Sequence, residues 1–449
     1  MTMFSFNHAA MRPSSPARNP STSSADRQPF TVRLAADALV IAGILALFGL
    51  IAWILPAIGE PIGPKGVPSS VSTNLADLPY YALRSVFRMF VALFFSLVFT
   101  FVYGTAAARC RRLSRVLIPL LDILQSVPIL GFLSATITIW MVLFPGSMLG
   151  VEAASIFAIF TSQAWNMAFS FTRSLTSEPR ELDEAARSLR LTRWQRFWTL
   201  DVPNAMIPLL WNCMMSVGGG WFFLTASEMI SVNNHTYALP GIGSFVAQAA
   251  AEENLAAICW AIVTMVAVVL LIDVLLWKPL TAWAEKFRIT QSESAVCKTS
   301  AVLTIIRQSH IDEMLDRLFQ PVGELFDTLT RPLGRTGGRW PVETKSTRSR
   351  VLDVLFMVVI VAASAFGVIE LMLVIHRDAG FDELGHALAL GMLTFLRVAL
   401  LTIVCSVIWV PVGALIGMNP RVSRFMQPIV QVLASFPSKD RKSTRLNSS

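Results

Sequence analysis

Charge is scarce in this chain. Lys, Arg, Asp and Glu make up 15% of its 449 residues, against 54% hydrophobic residues and a mean hydropathy of +0.58. A water-soluble core of this length has no need of that balance, so an ordinary soluble domain is excluded and a polytopic membrane protein is expected. Other absences narrow the field. No G-x-x-x-x-G-K-[ST] loop occurs, so the chain lacks that phosphate cradle and no cofactor is expected. The five cysteines, Cys110, Cys213, Cys259, Cys297 and Cys405, have no CxxC or metal-ligand spacing and read as free thiols. No cluster of His or acids marks a membrane-embedded catalytic centre, so no catalytic residue and no metal is assigned. Residues 1–30, rich in Ser, Pro, Asn and Arg, lack an apolar core and a cleavage pattern and read as a disordered tail.

What is present is a series of apolar runs of about 20 residues, the length that crosses roughly 30 Å of hydrocarbon at 1.5 Å per residue. They fall near 34–58, 86–108, 128–148, 150–173, 205–230 and 256–280, with a second set near 351–375 and 390–417. Basic residues gather in alternate connections: Arg12, Arg18, Arg27 and Arg33 in the tail, Arg109, Arg111, Arg112 and Arg115 after the second run, and five arginines between 180 and 196. By the positive-inside rule the N-terminus and residues 177–204 are cytoplasmic, and residues 231–255 face outward. Arg84 and Arg88 fall at the outer end of the second run, where snorkelling to the interface is expected.

The chain also repeats itself. Residues 88–128 lie over 397–437 without a gap at an offset of 309, matching Arg88 with Arg397, Gly104 with Gly413, Arg112 with Arg421, Pro119 with Pro428 and Pro128 with Pro437. Paired Arg, Gly and Pro in one register imply two copies of one membrane unit. The expected organisation is a first unit over 31–285, a cytoplasmic linker over 286–350 and a shortened second unit over 351–438. The basic, Ser-rich stretch 439–449 is expected to be foreign to the native protein, with a genuine polar tail as the alternative.

The densest charge lies in "SEPRELDEAARSLRLTRWQRFWTLDVPNAMIPLL", Ser177 to Leu210. Acids come first (Glu181, Asp183, Glu184) and arginines later (Arg187, Arg190, Arg193, Arg196), an order that suits a helix macrodipole. Leu182, Ala185, Ala186 and Leu189, then Trp194, Phe197 and Trp198, recur at helical spacing and make a stripe that must be buried somewhere. Pro203 and Pro208 close the segment. A helix lying on the membrane surface is the plainer alternative.

This segment resembles the EAA loop of permease subunits in binding-protein-dependent ABC importers, in particular the nitrate, sulfonate and taurine branch. Glu184, Ala185, Ala186 and Pro203 fit the pattern, Arg190 stands where the family has Gly, and Val202 replaces the usual Leu before Pro. "GGGWFFLTASEMI" (Gly218 to Ile230) and "LPGIGSFVAQAAAEEN" (Leu239 to Asn254) resemble the fifth span and the outward loop of the same permeases. The resemblance implies an all-α polytopic membrane fold of the type I importer kind, with about six spans plus a partial repeat. It further implies a bacterial inner-membrane location and a short coupling helix docked on a separate ATPase subunit. Glu184, Ala185, Ala186, Arg187, Arg190, Trp194, Phe197 and Pro203 would carry that coupling. Its implied partners are ABC ATPase subunits, a periplasmic solute-binding protein, membrane lipid, and a second permease copy or homodimer. ATP hydrolysis would belong to the partner. A small anion such as nitrate, sulfonate or taurine is the implied solute, and uptake by an isolated monomer is expected to be poor. A secondary active transporter is the competing class, although most charges lie in loops rather than at the bilayer midplane.

Candidate solute-pathway residues are Glu228, Ser227, Asn212 and Ser216. A lipid-facing Glu228 would be costly, which leaves a cavity or a hydrogen bond between helices. Gly218, Gly219 and Gly220 read as points of close helix approach, His235, Tyr237 and His376 as loop chemistry, and Arg397, like Arg88, as an interfacial anchor. Acids alternate with bases along 286–350, and no nucleic-acid partner is expected.

Overall fold

The computed structural model describes residues 71–127, 129–232, 235–287, 347–378 and 381–419, with a few isolated positions elsewhere. The N-terminal tail, nearly all of the first apolar run, most of the linker, Cys297 and residues 439–449 lie outside the described residues. Two units separate by compactness, one holding Pro341–Val430 and the other the remainder.

In the first unit, α1 (Leu78–Arg109) starts behind a short turn capped by Asn74, whose side chain accepts from the Ala76 amide. It is followed by α2 (Arg111–Ser126), α3 (Ile129–Leu143) and α4 (Leu149–Thr176). Then come the two short helices α5 (Arg180–Ser188) and α6 (Arg193–Arg196), a π-helical turn over Phe197–Asp201, and α7 (Val202–Glu228). After a hairpin, α8 (Ile242–Ala251) and α9 (Leu255–Ile272) lead through a second π turn into α10 (Lys278–Ala284). Among the described residues, four helical stretches are long and apolar enough to cross a membrane: Leu75–Arg109, Arg193–Glu228, Leu255–Ala284 and Gly385–Met418. The expected helical membrane fold is what forms.

The hairpin is a departure from the all-helical expectation. β1 (Met229–Val232) pairs antiparallel with β2 (His235–Ala238), Met229 opposite Ala238 and Val232 opposite His235. Ile230, Val232, Thr236 and Tyr237 are the β-branched and aromatic residues that favour a pleated ribbon. His235 and Tyr237 are therefore ladder residues, and His376 sits in the last turn of a helix rather than in a loop.

The centre of the unit is the packing of α1 on α4 and of α4 on α7. Much of the inner face of α1 is small or polar: Ala82, Ser85, Ala92, Ser96, Thr100 and Gly104 are buried, with Met89 and Leu93 among them, while Phe94, Phe95, Val98 and Val102 point outward. With lipid outside there is no hydrophobic gain from turning large side chains in, so small residues win the interface because they let backbones approach. Gly104 shows the closeness: a Cβ there would lie 2.7 Å from Phe171 Cδ1. Gly220 is similarly tight against Gln163 and Met89, whereas Gly219 faces open space. Gly220 thus has its expected close approach and Gly219 does not, while Gly218 is buried.

In the second unit, α11 (Thr347–Asp378) and α12 (Phe381–Met418) are long helices whose described side chains are almost all exposed. α12 ends at Met418 and α1 at Arg109, the same offset of 309 that aligns the two sequences.

Candidate coupling site and its two ion networks

The EAA segment folds as two short helices at the end of the bundle where α1 and α4 finish. Helix α5 ends in a Schellman arrangement, with the Leu191 amide donating to the Ala186 carbonyl and the Arg190 amide to the Arg187 carbonyl. That turn requires a left-handed residue, and Arg190 supplies it at φ +50°. The residue at the family's Gly position thus adopts the conformation a Gly would take freely. Thr192 then opens α6 with a reciprocal capping box, its hydroxyl accepting from the Gln195 amide while Gln195 Oε1 accepts from the Thr192 amide.

An ion network fixes this pair of helices to the membrane core. The Arg196 guanidinium, 3% exposed, donates to Asp183 at 2.5 Å and to Glu178 at 3.0 Å, and lies 3.5 Å from Asp201. Arg109, at the end of α1, reaches Glu178 at 2.8 Å and Asp201 at 2.5 Å. Arg187 adds an i,i+4 pair to Asp183 at 2.5 Å. Burial would raise the Asp183 carboxyl, but hydrogen bonds and charge from Arg196 and Arg187 outweigh it and hold it below the usual carboxylate range.

The aromatics take a different place from the one expected. Phe197 and Trp198 turn inward against Phe101, and Phe197 also meets Phe171, so they seat the loop on the chain's own core instead of on an open docking face. Trp194 stacks on Phe197 and lies edge-on to Trp198. The π turn over Phe197–Asp201 accounts for it, since the wider turn rotates Phe197 and Trp198 under the loop while Asp201 reaches Arg109. Ala186 is buried beneath α5, and Pro203 occupies the first turn of α7. Exposed on α5 are Arg180, Glu181, Glu184, Ala185, Arg187 and Ser188, with Leu189 exposed at its cap; Glu181 and Glu184 have no ion-pair partner among the described residues.

A second network closes the opposite end of the same three helices. Arg88 (α1) donates to Glu152 (α4) at 2.5 and 2.8 Å, to Glu228 (α7) at 2.8 Å and to the Pro240 carbonyl at 2.9 Å. Arg84 also pairs with Glu152. Glu228 further accepts from Ser85 Oγ at 2.5 Å and from the Gly243 amide at 2.6 Å, at the start of α8. None of the four charged side chains is more than 3% exposed. Arg84 and Arg88 do not snorkel as expected, because two carboxylates inside the bundle offer them better partners than the interface does. Gly241 leaves room for the Glu228 carboxylate, which a Cβ there would overlap.

The four pathway candidates do not come together. Glu228 is sealed in that network, Ser227 Oγ is 2.8 Å from Ser155 Oγ between α7 and α4, and Ser216 is buried with its hydroxyl unpartnered among the described residues. Asn212 alone is half-exposed, donating to Ser170 Oγ and the Pro208 carbonyl, both at 3.0 Å. Sequence reasoning passed over Glu152, Glu178, Asp201 and the pivotal role of Arg196. Glu152 did carry a signal, an acid inside an otherwise apolar run, which in a bilayer asks for a partner; Glu178, Arg196 and Asp201 lie in the charge-dense segment 177–210, where nothing marks one charge from the next.

The model of the family described as binding-protein-dependent transport system inner membrane component matches residues 101–276, from the middle of α1 to the second π turn. The taurine transport system permease protein TauC of Escherichia coli (strain K12) is 27% identical over 191 residues, 42% of this chain and 62% of that protein. The nitrate import permease protein NrtB of Synechocystis sp. is 23% identical over 155 residues, 34% of this chain and 51% of that protein. The bicarbonate transport system permease protein CmpB of the same organism is 25% identical over 122 residues, 27% and 42%. The chain thus spans about half the length of the curated relatives it matches. Over residues 101–276, which hold the EAA loop and the acids of both ion networks on and beside α4 and α7, the chain is similar to the inner membrane components of binding-protein-dependent transport systems, and the relatives it matches there are taurine, nitrate and bicarbonate permeases.

Proposed function

We propose that the chain is a membrane subunit of an ATP-driven importer and that α5 is its handle. The observation that carries this reading is the division of labour on one short helix. Asp183, Arg187 and buried Ala186 face the chain's own ion network and core, while Glu181, Glu184, Ala185 and Ser188, with Leu189 at the cap, are left exposed and Glu184 has no ion-pair partner among the described residues. A helix so firmly tied behind and so free in front suits a push from a separate ATPase subunit, which would hydrolyse the ATP. Arg190 and Arg193 flank that free face, and basic residues at this end agree with a cytoplasmic side. A periplasmic solute-binding protein would deliver solute at the end bearing the hairpin, and a second permease unit, from a homodimer or another copy, would complete the pathway. The names of the relatives point to a small anion, nitrate, bicarbonate or a sulfonate such as taurine. ATP binding would draw two such handles together and rock the helices between outward-open and inward-open states.

The test is Glu184→Lys. Co-purification with the ATPase subunit and ATP-dependent uptake should both fall while helix content stays unchanged. Full docking and uptake by the charge-reversed chain would end the assignment, and uptake abolished by an ionophore with ATP plentiful would favour a secondary transporter.

A further inference from the structure

An apolar cavity of about 230 Å³ opens between α1, α2 and α4 on the half of the bundle nearest the coupling loop. Ala107, Ile118, Leu121 and Phe169 line it, and its hydroxyls are already committed: Tyr103 donates to the Leu117 carbonyl at 2.6 Å and Thr172 to the Ala168 carbonyl at 2.7 Å. Water finds few partners on such a wall, and cavities of this kind stay dry or take apolar guests. Arg173 lies in the lining, and Arg115 sits one helical turn before Ile118 on α2. Both arginines are exposed, and among the described residues neither side chain has an acidic or hydrogen-bonding partner. Arg173 is the one arginine in the lining; Arg115 is placed near it only by its position on the helix that carries Ile118 and Leu121.

We infer that this cleft binds an anionic phospholipid, with an acyl chain in the cavity and the headgroup phosphate between Arg173 and Arg115. An apolar slot with one unpaired guanidinium in its lining and a second one turn away on the helix that walls it matches an amphiphile with a negative head, and matches neither a small free anion, which would leave the slot empty, nor a neutral lipid, which would leave the arginines unpaired. The cytoplasmic placement of this end, taken from the reading above, puts the cleft in the leaflet where anionic lipid attracts juxtamembrane basic residues. The site does not depend on ATP-driven transport, so its failure and that of the coupling reading are separable.

The experiment is lipid retention by the full-length chain purified in mild detergent and exchanged against equal phosphatidylglycerol and phosphatidylcholine of matched acyl chains, with retained lipid quantified by mass spectrometry. The expected result is a preference for phosphatidylglycerol on the order of tenfold, the size that one to two arginine–phosphate attractions supply. R115Q/R173Q should reduce that preference to near parity with helix content unchanged. I118W, which fills the slot from a partly exposed position, should lower retention of both lipids. Equal retention of the two lipids by the unmodified chain would overturn the inference, as would an undiminished preference in the double variant. Displacement of phosphatidylglycerol by millimolar nitrate or inorganic phosphate would do the same, since it would mark the arginines as a solute site.

Discussion

Arg88 on α1 and Glu228 on α7, 140 residues apart in sequence, meet at 2.8 Å with neither side chain more than 1% exposed. Replacing Arg88 by Gln would strand two buried carboxylates, Glu152 and Glu228, of which only Glu152 keeps another guanidinium, that of Arg84. Breaking a buried pair from one side costs about 3–5 kcal/mol, because the remaining charge is left in a poor solvent. Thermal unfolding in detergent should therefore show a large destabilisation for Arg88→Gln. A variant as stable as the parent would mean that the network contributes nothing to holding α1 on α7.

The same network makes Gly241 and Gly219 unequal. A methyl group at Gly241 would overlap the Glu228 carboxyl carbon, whereas one at Gly219 meets nothing within 4 Å. Gly241 has an extended backbone, so space and not conformational freedom is what its lack of a side chain provides. Gly241→Ala should lose about 1–3 kcal/mol through overpacking. Gly219→Ala should be neutral or gain up to about 1 kcal/mol from helix propensity. The paired melting curves decide it, and equal shifts for the two variants would contradict the geometry.

How much of this was legible beforehand follows from where each partner lies. The spans were readable because a bilayer requires unbroken apolar length, so the runs near 86–108, 205–230 and 256–280 correspond to Leu75–Arg109, Arg193–Glu228 and Leu255–Ala284, while the run near 150–173 forms the helix Leu149–Thr176, which is not among the four stretches long and apolar enough to cross a membrane. The extra turns at the start of α1 were hidden, since Arg84, Ser85 and Arg88 look like an interface until Glu152 and Glu228 arrive from 64 and 140 residues away. Charge in the EAA segment was equally visible, but the arginines looked alike. Only the fold separates Arg196, buried under three acids, from exposed Arg190 and Arg193. The π turn at Phe197–Asp201 has no sequence signature that periodicity would catch, and it is what sent Phe197 and Trp198 inward.

Arg190 gives a prediction of the opposite sign. A non-glycine residue in the left-handed region costs roughly 1–2 kcal/mol, part of which a Gly returns as entropy of the unfolded chain. Arg190→Gly should therefore stabilise the end of α5 by about 0.5–1 kcal/mol. Amide exchange at Leu189 to Leu191, where the two Schellman hydrogen bonds form, should slow in the variant. Faster exchange would mean that the Arg190 side chain holds the turn in some other way.

Asp183 sets the pH response of the loop. Its carboxyl titrates below the usual range because Arg196 and Arg187 outweigh the effect of burial. A depressed folded value means that the group's stabilising contribution is fully present above the unfolded value, about 3.9, and fades as pH falls through the lower folded one. The tie between α5 and Arg196 should consequently be indifferent to pH from neutrality down to about 4 and loosen below it. A spin label at exposed Ser188 should report rising mobility only in that acid window. In Asp183→Asn the label should be more mobile at pH 7 already, with a smaller further change on acidification. If the parent loosened between pH 5 and 7 instead, a group other than Asp183 would be governing the attachment of the handle.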